Sequence, residues 1–209
     1  MKKNVEYTDT IRKPKWAIAI FMFNGITGLF AFVSTFIIPT IYSEIKSVNS
    51  VLISEAIKTF LVAITPIILS IMLTKKRYDN SLVIATVLML VPSVFSSFFI
   101  LNPYLIIEIP FYVILILYTY VMVKMPDTSI RKTLSKIRAV IPVYQLFLII
   151  FSVVQTRKEL LKHLGEHLNE STEAASTIVP FITALLPGVL LTICYTSLVN
   201  WLSNPYEKK

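Results

Sequence analysis

Residues 51–77 read VLISEAIKTFLVAITPIILSIMLTKKR. The first 24 positions of this stretch hold two charged residues, Glu55 and Lys58, and three basic residues follow directly. A helix needs about 20 apolar residues to cross the hydrocarbon core of a bilayer. Basic residues directly after such a run are typical of the cytoplasmic side. The stretch therefore predicts a membrane-spanning helix that ends in the cytoplasm.

The rest of the chain has the same character. Of its 209 residues 55% are hydrophobic and 15% are charged, and the mean hydropathy is +0.71. Soluble domains carry about a quarter charged residues, and one of this size could not bury so much apolar surface. Five further apolar runs lie at about 16–41, 81–101, 104–123, 139–155 and 177–203. We predict an all-α fold in which residues 1–209 form a single membrane domain, a bundle of six transmembrane helices.

The distribution of basic residues sets the orientation. Of the 20 Lys and Arg residues, 15 lie in the amino-terminal tail, in the connections after the second and fourth runs, and in the carboxyl-terminal tail. Trp16 opens the first run and Trp201 closes the sixth, and Trp is enriched at membrane–water boundaries. The pattern predicts that both termini are cytoplasmic.

Two connections have the pattern of short amphipathic surface helices. Residues 126–138 carry Ile130, Leu134 and Ile137 at helical spacing among basic residues, which predicts a helix on the inner membrane surface. Residues 156–175 carry Leu160, Leu164 and other leucines on one face, which predicts a second such helix on the outer surface.

Small residues and prolines suggest details of the bundle. Gly25 and Gly28 in the first run predict close packing against a neighbouring helix. Prolines fall in all six runs, and proline tends to kink or break a helix. Membrane helices tolerate proline, so a purely structural role remains open. Broken helices also line binding sites in transporters, and residues 186–188, Leu-Pro-Gly, are the expected position of such a break.

Three ionisable residues lie within the apolar runs, namely Glu55, Lys58 and Glu108. Charged side chains in lipid are costly and usually face a protein interior or a wet cavity. One interpretation places all three in the headgroup region, with Lys58 extending outward. The other, which we adopt as the candidate site, is an outward-facing polar vestibule that binds a ligand.

The two histidines, His163 and His167, are four residues apart and so share a helix face. Imidazoles at this spacing suit a divalent metal such as zinc, with Glu170 as a candidate third ligand. A solvated helix face explains the same pattern. The order His-x-x-Glu-His also occurs in a class of zinc peptidases, but such a site needs a further acidic ligand in a walled cleft.

These observations favour a non-enzymatic protein of the cell membrane, and Lys-, Ile- and Ser-rich usage indicates a bacterial source. The first hypothesis is a transport-type or small-ligand-binding membrane subunit. The alternative is an accessory, assembly or immunity-type protein that binds another membrane protein, and a metal-dependent membrane enzyme is more remote. The basic inner face predicts contact with anionic lipids. A membrane-protein partner or a homo-oligomer is possible, and nucleic acid is not an expected partner because the basic segments lack interleaved aromatic residues.

Overall fold

The computed structural model describes residues 11–41, 50–99, 103–125, 128–164 and 170–206. Within these ranges the chain forms eight α-helices. They are α1 (Lys15–Ile41), α2 (Ser50–Thr74), α3 (Asn80–Leu88), α4 (Val91–Phe99), α5 (Pro103–Lys124), α6 (Ser129–Lys136), α7 (Val140–Leu164) and α8 (Glu170–Ser203). The all-α prediction is confirmed, and the helices follow the predicted apolar runs closely.

Four described segments are long and apolar enough to cross a membrane: Lys15–Ser34, Ala56–Thr74, Ile106–Lys124 and Leu185–Ser203. A fifth is counted if α6 and residues Val140–Gln155 of α7, which meet at 45°, form one bent span. The third predicted run does not meet this test, because its apolar stretch Asn80–Phe95, which α3 and α4 form, is too short. The structure therefore supports a membrane protein with four to five candidate spans.

Helices α3 and α4 are separated at Met89 and Leu90, and Pro92 explains the break. A proline ring clashes with the carbonyl four residues earlier, here that of Leu88, and has no N–H to donate. The backbone instead tightens, with the Leu90 N–H donating to the Val87 carbonyl at 3.0 Å. A new helix then begins at Val91.

Two sequence-based expectations are wrong. Helix α8 continues without interruption through residues 186–188, so the expected break is absent there. An isolated proline can be accommodated in a long helix when neighbouring elements hold it. The predicted outer surface helix at 156–175 is also not a separate element. Its first part, up to Leu164, is the end of α7, and its last part, from Glu170, is the beginning of α8. Residues 165–169 lie outside the described part of the chain. At the inner one, residues Ser129–Lys136 do form a short helix, α6, capped by the Thr128 side chain, and its place on the membrane surface stays a prediction.

The apolar segments form a closed ring. Helix α1 packs against α2, α2 against α3 and α4, these against α5, α5 against α7, and α7 against α8. Contacts between α8 and α1 close the ring. The close packing predicted at Gly25 and Gly28 is confirmed for α1 against α2, because a Cβ on Gly28 would lie 2.8 Å from the Ala63 Cβ.

The two ends of the described chain meet at one end of the bundle. Ile11 pairs with Tyr206 in an antiparallel bridge, and the Arg12 N–H donates to the Pro205 carbonyl at 2.8 Å. Basic residues gather at this end, which we call the basic end; those described are Arg12, Lys13, Lys15, Lys75, Lys76, Arg77, Lys124, Arg131, Lys132, Lys136 and Arg138.

Tyr78 joins three elements at the basic end. Its hydroxyl lies 2.8 Å from the Met122 carbonyl oxygen in the last turn of α5 and 2.7 Å from that of Leu202 in the last turn of α8. Such carbonyls have no partner within their own helix. Burial raises the pKa of the Tyr78 phenol, although the Arg131 guanidinium acts in the opposite direction. The hydroxyl therefore keeps its proton, and its role as donor, over the physiological pH range.

We expect Tyr78→Phe to lower the free energy of unfolding by about 1–3 kcal/mol, because it removes the one O–H donor that two buried carbonyl groups share. The measurement is thermal unfolding of the purified protein in mild detergent. Tyr120→Phe is the control, since Tyr120 lies on α5 and its side chain is exposed. Equal midpoints for the two variants would contradict the proposed role of Tyr78.

Candidate functional site

A cavity of about 630 Å³ lies inside the ring of helices. Each of the six apolar segments contributes to its lining, counting α3 and α4 together. The wall combines apolar and aromatic side chains with the following polar residues: Asn24, Thr27, Lys58, Thr65, Ser93, Glu108, Tyr112, Gln145 and Tyr195. The volume is in the range of small-molecule binding sites, about 300–1,000 Å³.

Glu108 is the acidic residue of this wall, and three neighbouring side chains interact with its carboxylate. The Ser93 hydroxyl on α4 and the Tyr112 hydroxyl one turn along α5 both donate hydrogen bonds to its carboxylate. The Lys58 ammonium on α2 is close enough to attract it electrostatically. A carboxylate in such an environment has donors and a countercharge in place of water.

Lys58 and Glu108 lie at matching depths in the bundle. Lys58 lies 16 residues before the end of α2 at Thr74, and Glu108 lies 16 residues before the end of α5 at Lys124. Both helices end at the basic end, so each charge lies about 24 Å from that end along its helix axis. Because both side chains face one cavity, each lowers the cost of placing the other within the membrane.

Tyr195 extends this polar network into an aromatic cluster. Its hydroxyl is hydrogen-bonded to that of Tyr112, so the two phenols link α8 to the carboxylate on α5. The Tyr195 ring makes edge-to-face contacts with Phe111 at 4.9 Å and with Phe21 at 5.7 Å between ring centres. These three rings give one side of the cavity a rigid aromatic wall.

The break between α3 and α4 also borders the cavity. Met89, at the end of α3, and Pro92 both line it, and so does Pro66 on α2. Two of the prolines noted in the sequence are therefore placed at the cavity wall. Only Pro92 coincides with a break, because α2 continues through Pro66.

Sequence reasoning identified Lys58 and Glu108 but missed Ser93, Tyr112 and Tyr195. Hydroxyl and phenol side chains are common in membrane helices, so nothing in their own type singled them out. The one available signal is spacing: Tyr112 follows Glu108 by four residues, which places both on the same face of α5.

The side chains of the other predicted site residues lie outside the described part of the structure. Glu55 lies on α2, but its side chain is outside the described part of the structure. The same holds for the side chains of His163 and Glu170, and His167 as a whole lies outside the described residues. In the described ranges no three His, Cys, Asp or Glu side chains are grouped closely enough to hold a metal ion. The metal site at His163, His167 and Glu170 stays a prediction.

Comparisons of the chain with protein-family models, with curated proteins and with solved structures found no match. The function proposed below therefore depends on the geometry of the cavity.

We expect the cavity to hold water, because Lys58 and Glu108 face it. Thr27→Cys should then react with a membrane-impermeant thiol reagent, since Thr27 lines the cavity. Phe30→Cys on the same helix is the matched control. Phe30 is 72% exposed on the bundle surface and does not line the cavity, and a thiol facing hydrocarbon does not ionise to the reactive thiolate.

The native Cys194 is fully buried and should remain unreactive. The measurement is the extent of labelling in intact membrane vesicles, determined by mass spectrometry. Equal labelling at positions 27 and 30 would show that the cavity offers no separate aqueous environment.

Proposed function

We propose that this chain is a non-enzymatic, transport-type or small-ligand-binding membrane subunit whose ligand binds in the central cavity. The observation that carries this proposal is that the ring of six apolar segments surrounds a cavity of about 630 Å³ that both Lys58 and Glu108 line, close enough to attract each other electrostatically. A stable apolar bundle does not require such a pair, since buried ion pairs contribute little to stability relative to apolar packing. Their presence is better explained by a ligand.

The lining favours a small ligand with a polar end and an apolar body. The carboxylate of Glu108, the ammonium of Lys58 and the hydroxyls of Ser93 and Tyr112 offer both donors and acceptors to the polar end. Aromatic and aliphatic side chains, among them Phe111, offer contact to the body. Sites of this composition orient their ligands with a few polar groups on an apolar wall.

We further propose six membrane crossings with both termini in the cytoplasm of a bacterial cell. The bridge between Ile11 and Tyr206 supports an even number of crossings, because it brings the two ends of the described chain to the same end of the bundle. Four segments qualify on their own, and α7 and the α3–α4 pair bring the number to six. The concentration of Lys and Arg at this basic end favours the cytoplasmic side.

The broken helix supports a transport-type role in particular. Discontinuous helices in transporters bring unwound backbone to the substrate site and move about the break. Here Met89, at the break, lines the cavity. Ser93, one turn further along the chain, donates a hydrogen bond to the Glu108 carboxylate. Movement of α4 relative to α3 would therefore change the environment of Glu108 directly.

The test is a thermal-shift screen of the purified protein against a library of small amphipathic amines, carboxylic acids and zwitterions. At least one compound should raise the unfolding midpoint of the wild type, and Glu108→Gln should bind that compound about tenfold or more weakly, because the substitution removes one charged partner. Lys58→Gln should act similarly. Lys162→Gln, an exposed lysine at the opposite end from the basic end, is the control and should bind as the wild type does.

A compound that stabilises the wild type and both cavity variants equally would contradict binding at this site. Failure of every compound, together with a membrane protein that copurifies in equal amount, would contradict a ligand-binding function and favour the accessory-subunit alternative.

A further inference from the structure

A second cavity, which we call the basic groove, lies at the basic end and has a volume of about 980 Å³. It is formed by the segment that leads into α1, the turn between α6 and α7, and the last turns of α8. No residue of its lining also lines the central cavity. The groove is therefore a separate feature with its own chemistry.

Positive charge dominates the basic groove. Among the described residues that line it, Arg12, Lys13, Lys15 and Arg138 are cationic and none is acidic. Arg138 comes from a different part of the chain than the other three, so the charges converge on the groove from two sides. A site with this balance favours an anion, and arginine in particular recognises phosphate with paired hydrogen bonds.

The backbone that carries these cations is fixed in place. The Arg12 N–H donates to the Pro205 carbonyl at 2.8 Å, and the Trp201 indole N–H donates to the Arg12 carbonyl. Both bonds join the chain before α1 to the end of α8. The positions of Arg12 and Lys13 beside α8 are consequently part of the fold and not a result of free chain movement.

The groove extends from the basic end into the apolar part of the bundle. On α8 it reaches from Asn204 to Thr192, a distance of about 18 Å along the axis. Its outer part is lined by asparagines such as Asn200, whereas Ile193 lies in the deeper part and is exposed. Trp16 lies at the rim and is 68% exposed, as is typical of the membrane–water boundary.

We propose that the basic groove binds an anionic membrane lipid, with its phosphate headgroup among Arg12, Lys13, Lys15 and Arg138. The first part of the acyl chains lies along Thr196 and Ile193. Basic pockets between transmembrane helices on the cytoplasmic side bind anionic headgroups in this way. A free phosphate compound has the same charge but no part that would fill the deeper, apolar end of the groove. The proposal does not depend on the ligand of the central cavity.

The two tryptophans of the chain, Trp16 and Trp201, both line the groove and provide the measurement. The protein is reconstituted in phosphatidylcholine vesicles with rising fractions of phosphatidylglycerol brominated near the glycerol end of its acyl chains. Bound lipid of this kind should quench tryptophan fluorescence. Half-maximal quenching should require at least about fivefold less brominated phosphatidylglycerol than brominated phosphatidylcholine.

The double variant Arg12→Gln with Arg138→Gln should lose this preference, and both side chains are exposed, so their replacement leaves the packing intact. Thr196→Phe, which fills the deeper part without a change of charge, should weaken quenching by both lipids. The control is Lys132→Gln with Lys136→Gln, which removes two exposed charges from α6 at the same end but outside the groove. It should keep the wild-type preference.

Three results would overturn the proposal. The wild type could be quenched equally by both lipids, or the α6 control could lose as much preference as the groove variant, which would indicate general attraction to an anionic surface. Relief of quenching by millimolar inorganic phosphate at constant ionic strength would assign the groove to a soluble phosphate compound.

Discussion

The bundle depends on how the carbonyl groups at its helix ends find hydrogen-bond donors away from water. The last carbonyls of any helix have no partner of their own, and in the interior of a membrane protein an unsatisfied carbonyl costs several kcal/mol. Here the hydroxyl of Tyr78 serves two of them, at Met122 and Leu202, and so holds the ends of α5 and α8 together. A second link between these helices joins the Tyr118 hydroxyl to that of Ser203 at 2.6 Å. With these two helices joined across the ring, the other helices surround a fixed interior.

The positions of Lys58 and Glu108 are better explained by the central cavity than by a location in the headgroup region. A lysine and a glutamate at the same depth would be costly if they faced lipid, yet both face the space between the helices. Ser93 and Tyr112 complete the surroundings of Glu108, and Tyr195 connects them to the aromatic wall. The break between α3 and α4 lies at the same place, where Met89 lines the cavity. Charge, hydrogen-bond donors and an interrupted helix thus coincide at one site.

Much of this architecture could be predicted from the sequence, because lipid imposes a simple rule on composition. The runs predicted at about 16–41 and 51–74 correspond to Lys15–Ile41 and Ser50–Thr74. The position of the helix break could not be predicted, since Pro66, Pro92 and Pro110 look alike in sequence and only Pro92 lies beside a break in the structure. Lys58 and Glu108 were found because charge is rare in an apolar run. Tyr112 and Tyr195 were missed because the direction in which a tyrosine points depends on how the helices pack, which no single run specifies.

The contact between Ile11 and Tyr206 also bears on biogenesis. Neighbouring helices in the ring are also neighbours in the chain, so each can pack as soon as it leaves the ribosome and enters the bilayer. The pairing of α8 with α1 is different, because it joins the first and last of the six segments. Until α8 is synthesised, the ring is open on one side, and the cavity that Lys58 and Glu108 line lacks the wall that α8 provides. Closure of this gap is therefore the step that completes the wall of the central cavity.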